Sequence, residues 1–208
     1  MVNRLIDIVK RLRAPDGCPW DREQTHQSVR GHLVEECAEL LEAIDLQDSD
    51  KMREEIGDVL MHLLLHAEIE SENGNFNFND VAKELGDKLV RRHPHVFGEE
   101  KVNDSDDVLK IWQDVKKKEK KERVIGGLFA GIPPQLSALR YAYSIAKKAD
   151  AETLADASKN SPINNANIEI GKELFAVIEK AIAQKVEPES ALRDYLLEIR
   201  KSAEKLGK

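Results

Sequence analysis

Six acidic residues flank a short polar turn at helical spacing: Glu35, Glu36 and Glu39 before it, Glu54, Glu55 and Asp58 after it. Glu36 and Glu39 are three positions apart, as are Glu55 and Asp58, so each pair shares one face of a helix. If the chain reverses near Gln47, residues equally distant from it stand level on two antiparallel helices. Glu39 and Glu55 each lie eight residues from Gln47, and Glu36 and Asp58 each lie eleven. The four carboxylates then form two facing rungs about 4.5 Å apart along the helix axis. Carboxylates so close raise one another's pKa and do not all stay ionised without a cation. An oxygen donor set with no Cys or His suits Mg²⁺ or Mn²⁺ better than zinc. Mg²⁺ keeps several waters and binds beside substrate phosphates, which directs the reading to nucleotide chemistry. Glu is also a common residue of solvated helical faces, and the symmetry about Gln47 is what favours a cation site over that reading.

Other candidates carry less chemistry. His62 and His66 are four apart on the helix that holds Asp58, but no Glu follows His62 as a zinc-protease motif requires. Packing is the favoured role for both. Cys37 falls on an apolar face, and Cys18 sits in a loop with no base beside it. The basic run VKKKEKKER at 115–123 reads as a solvated helix end.

The elements that must position these groups are helices. Aromatic residues are only 5% of the chain, and no stretch alternates apolar and polar residues long enough to read as a strand. The spacing predicts a first helix over 2–13 with Leu5, Ile8, Val9 and Leu12 on one face, then a loop through APDGCPWDREQT. A second helix is expected over 27–46 with the stripe Leu33, Cys37, Leu40, Leu41 and Ile44. Asp48 or Ser49 is the expected N-cap of a third helix over 50–70, using Met52, Ile56, Val59, Leu60, Leu63 and Leu64. A fourth helix is expected to start at Asn79 or Asp80 and stop before Pro94, and a fifth runs over 106–122. The glycine-rich stretch 123–133 reads as a linker, and 134–148, 168–185 and 188–206 as further helices, with a polar segment at 159–167. Short connections favour antiparallel neighbours, so the fold class is all-α, an antiparallel helical bundle.

Composition closes off other classes. The 208 residues hold 32 Lys and Arg against 39 Asp and Glu, a formal net charge of −7, which argues against a partner in nucleic acid. No apolar run is long enough to span a membrane, and the first residues lack a signal-peptide core. Two cysteines make no disulfide framework, which points to a cytoplasmic, reducing setting. EIGDVLMHLLLHAEI at 55–69 weakly repeats as EIGKELFAVIEKAIA at 169–183, where Lys172 stands in place of Asp58.

The strings GCPWDREQTHQS, EECAE, EEIGD and KLVRRHPHVFGE resemble the MazG nucleoside triphosphate pyrophosphohydrolases over about residues 1–122. That family belongs to the all-α NTP pyrophosphatases. The resemblance implies Mg²⁺-dependent hydrolysis of an NTP or dNTP to the monophosphate and pyrophosphate, and a homodimer. It implies metal ligands Glu36, Glu39, Glu55 and Asp58, with Glu35 or Glu54 orienting or deprotonating the attacking water. It implies that Lys51, Lys88 and Arg92 grip polyphosphate, and that Trp112 and Lys116 lie near the nucleotide, with Trp20 and Asp21 at the rim. Residues 134–208 resemble a degenerate second domain of the same kind without its carboxylate set, so catalysis is expected only in residues 1–122. The alternative is a helical nucleotide-binding or regulatory protein that has lost turnover. A di-metal redox bundle is disfavoured, because no Glu-x-x-His pair occurs among the four carboxylates.

Overall fold

The computed structural model describes residues 2–121, 127–150, 152–154, 156 and 166–205, leaving aside the side chains of 117, 118, 120, 121 and 166. The expected linker residues 123–126, most of the polar segment 159–167, the predicted helix end at Leu206 and most side chains of the basic run lie outside these. Two compact units divide the chain, Met1–Lys120 and Lys121–Lys208. Every regular element among the described residues is helical.

In the first unit the helices are α1 (Val2–Arg13), α2 (Pro19–Glu23), α3 (Arg30–Asp45), α4 (Ser49–Glu72), α5 (Phe78–Arg92), α6 (Pro94–Phe97) and α7 (Ser105–Lys121). The α3–α4 hairpin is its centre. The reversal falls on Gln47, which adopts a left-handed φ of 55°. Its N–H donates to the Ile44 carbonyl and that of Asp48 to the Ala43 carbonyl, the double closure of a Schellman end. Asp48 then caps α4 by accepting from the N–H groups of Asp50 and Lys51. Gly74, with φ of 73°, ends α4 in the same way.

A small core locks the hairpin to α1. Val9, Val29, Leu64, Leu65 and Ile69 are buried together, with Ile6, Leu60 and Phe78 packed against them. Arg13, its side chain buried, donates two hydrogen bonds to Glu72 and two more to the carbonyls of Asp21 and Gln24, so one guanidinium joins α1, α2 and α4. Gly17 is forced by close approach: a Cβ there would stand 2.2 Å from the Leu12 carbonyl oxygen.

Several boundaries differ from those read off the sequence. The loop before α3 contains α2, started by Pro19, whose fixed φ suits a first helical position. α3 starts at Arg30, because Thr25 and Ser28 bond each other reciprocally and hold 25–28 as a turn. α5 starts at Phe78, one or two residues earlier than expected, because Asn77 caps it in a reciprocal box with Asp80. Pro94 ends α5 and also opens the short α6.

The apolar faces differ too. Val9 is buried, but Leu5, Ile8 and Leu12 are exposed; α1 packs through Ile6 and Val9 instead. On the hairpin, Cys37, Leu41, Ile44, Ile56 and Leu63 of the expected stripes are exposed in the single chain. In the second unit, α8 (Ala138–Ala146) packs against both α9 (Ala166–Ala183) and α10 (Pro188–Lys205). α8 starts at Ala138 because Ser137 caps it, leaving 134–137 as turn.

Candidate functional site

Helical periodicity puts Glu36 and Glu39 on the α3 face that meets α4, and Glu55 on the answering face of α4. One carboxylate oxygen from each of the three lies within 4.8 Å of the others. Glu55 is 4% exposed. Its burial, and then the negative charge of Glu39, hold its carboxyl above the usual carboxylate range. Lys51 acts in the opposite sense, while Asp58 and Glu36 add to the rise. Lys51 itself is ion-paired with Glu42 across the turn.

Asp58, the fourth expected ligand, is half-buried and stands outside the trio, although its charge reaches Glu55. Glu35 and Glu54 are exposed, and Glu35 accepts a hydrogen bond from His32 at 3.2 Å. The oxygen-only trio fits a hard divalent cation, because three carboxylates converge with one of them withdrawn from water.

A second cluster joins α5 to α7. Arg92 donates to Glu119 through Nε at 3.1 Å and Nη2 at 2.6 Å, and Arg91 donates from Nε at 2.8 Å. These two guanidinium groups hold the Glu119 carboxyl down to about 2. Arg92 also lies over the Trp112 ring at 5.5 Å from its centroid, and Lys116 at 4.6 Å. Arg92, Trp112 and Lys116 are thus brought together. Lys88 is half-buried one turn before Arg92, and Lys51 belongs to the carboxylate cluster. Trp20 is exposed on α2, and the Asp21 carbonyl receives Arg13.

Sequence reasoning missed two histidine arrangements. His62 is 3% exposed, and its Nε2 lies 4.0 Å from Glu36 Oε1. His66 meets His26 Nδ1 to Nδ1 at 2.7 Å, so one ring donates and the other accepts. His26 contacts Glu70 at 2.6 Å, and Asn75 donates to the other Glu70 oxygen. Burial and the neighbouring rings of His26 and His62 push the His66 pKa down. The i,i+4 spacing of His62 and His66 was visible, but nothing in the sequence brings His26 from its loop onto α4.

Comparison with known proteins gives the family of the chain. The family model of the MazG nucleotide pyrophosphohydrolase domain matches residues 24–97. The chain is 37% identical to the nucleoside triphosphate pyrophosphohydrolase/pyrophosphatase MazG of Thermotoga maritima, with 93% of this chain and 80% of that one aligned. This chain belongs to the MazG family. It is also 34% identical to the nucleoside triphosphate pyrophosphohydrolase of Escherichia coli over 99% of its own length and 78% of that protein's. The uncharacterized protein YabN of Bacillus subtilis is 44% identical over 89% of this chain, which spans only 42% of YabN. The MazG match contains the carboxylate trio, Asp58, Lys88 and Arg92, whereas Trp112, Lys116 and the second unit lie beyond it.

Proposed function

We propose that this MazG chain hydrolyses nucleoside triphosphates, ribo or deoxyribo, to the monophosphate and pyrophosphate. The observation that carries this reading is the convergence of Glu36, Glu39 and Glu55 on facing helices with Glu55 buried. Those three, with Asp58 beside them, would hold Mg²⁺ or Mn²⁺. When bound, the ion supplies charge that polarises phosphate oxygens and offsets the negative charge gathered at the reacting phosphorus.

The chain's own groups divide the remaining work. Glu35 and Glu54 are exposed carboxylates next to the trio in sequence, suited to orienting a water and taking its proton. Lys51, Lys88, Arg92 and Lys116 supply cations for the polyphosphate, with Arg92 able to offer two N–H donors at once, Nε and Nη2, which here converge on one oxygen of Glu119. Trp112 offers an aromatic surface to the base. In the second unit Lys172 is paired with Glu169 at 2.8 Å, which supports a structural rather than catalytic role there. The exposed apolar residues of α3 and α4 favour a homodimer that covers them. No described helix is long and apolar enough to cross a membrane, and a cytoplasmic enzyme is the reading we adopt.

The test is a panel of NTPs and dNTPs with Mg²⁺, with and without chelator, followed by ³¹P NMR. Pyrophosphate and monophosphate in equal amounts, abolished by chelation, is the expected result. Orthophosphate with diphosphate would overturn the assigned bond cleavage. Binding without turnover would favour the regulatory alternative.

A further inference from the structure

The hairpin buries a histidine beside the carboxylates, one of its ring nitrogens facing Glu36 and the other sealed in the interior. His62 is 3% exposed, and its Nδ1 is buried with no hydrogen-bond partner among the described residues. Buried polar atoms without partners are rare in folded proteins, and an apolar residue of similar size would fill this space without the loss. A neutral imidazole carries one ring proton. At Nδ1 that proton would meet no acceptor, whereas at Nε2 it faces the Glu36 carboxylate, whose Oε1 is 4.0 Å away. The His32 ring lies nearly parallel to that of His62, 6.5 Å between centroids and inclined by 19°. His32 in turn contacts Glu35 of the same helix.

We propose that His62 is a positioning residue for Glu36: its Nε2–H aims the Glu36 carboxylate toward Glu39 and Glu55. This rests on the cation site proposed above. Carboxylates that hold cations are themselves hydrogen-bonded, and losing such a partner typically costs about 10–100-fold in metal affinity. The 4.0 Å separation lies beyond hydrogen-bond length. Groups at such sites often tighten only when the site fills.

The geometry makes a sharp distinction between two amides. The Gln side-chain amide reaches the position of imidazole Nε2, and the Asn amide reaches only that of Nδ1. The experiment measures Mn²⁺ binding to the full chain without nucleotide, by electron paramagnetic resonance, for wild type, His62→Gln, His62→Asn and His62→Leu. Far-ultraviolet circular dichroism melts check that each variant is folded. The expected result is wild-type-like affinity for His62→Gln and a loss of about 10–100-fold for both His62→Asn and His62→Leu. Should His62→Asn fail to fold, the contrast between Gln and Leu carries the test. Equal affinity in folded Gln and Leu variants overturns the positioning role and leaves the cation site standing. Absence of Mn²⁺ binding by the wild type overturns the cation site and the positioning role together.

Discussion

Glu55 of α4 is buried against Glu39 of α3, and that neighbouring charge joins burial in holding the Glu55 carboxyl above its ordinary range. The hairpin therefore carries a built-in cost that a bound cation would relieve. Much of the behaviour expected of this protein follows from that cost.

The sign of the pH effect follows from the raised pKa. A carboxyl whose folded pKa lies above its unfolded value binds more protons when folded, so stability falls as pH rises through that interval. With chelator present, the wild type should lose stability as pH rises above the ordinary Glu value of 4.5. Glu55→Gln should melt higher than wild type at neutral pH, with the difference vanishing near pH 4. Melting curves from pH 4 to 8 check this, and Mg²⁺ or Mn²⁺ should raise the wild-type curve only.

Glu119 behaves oppositely. Its carboxyl is held at about 2 by Arg92 and Arg91, so its contribution is complete above 4.5 and is lost as pH falls toward 2. Glu119→Gln should loosen α7 from α5 at neutral pH and make little difference near pH 2. Hydrogen exchange of the α7 amides at the two pH values reads the change directly.

The turn that sets the register can be improved. Gln47 sits at φ 55°, where a side chain costs energy that glycine does not pay. Gln47→Gly should therefore stabilise the hairpin by about 0.5–1 kcal/mol, measured by urea unfolding. A loss of stability would mean that the Gln47 side chain makes a contact worth more than the backbone strain.

Much of this was legible in the sequence, and the exceptions have physical reasons. The meeting of Glu39 with Glu55 followed from counting outward from a reversal near Gln47, where the polar turn suggested one, because helical spacing then fixes which positions stand level. The partner of Glu36 did not follow. Side chains lean toward the N-terminus of their own helix, away from the turn on α3 and toward it on α4. Glu36 accordingly lies beside His62, one turn beyond the Asp58 that equal counting selects. The apolar stripes of α1 and α3 were readable as stripes, but which residues of them the single chain covers depends on tertiary neighbours. The α2 and α6 helices escaped notice because four or five residues opened by proline carry no periodicity.

If nucleotide cleavage takes place at the α3–α4 carboxylates, it depends on Glu39, which faces Glu55 across the hairpin. The decisive experiment is pyrophosphate release by wild type and Glu39→Gln under identical Mg²⁺ and nucleotide concentrations. Wild type should release pyrophosphate steadily, and the variant, its fold checked by a melting curve, should lose at least about 100-fold. Equal release by a folded Glu39→Gln would contradict that dependence and move the chemistry elsewhere on the chain.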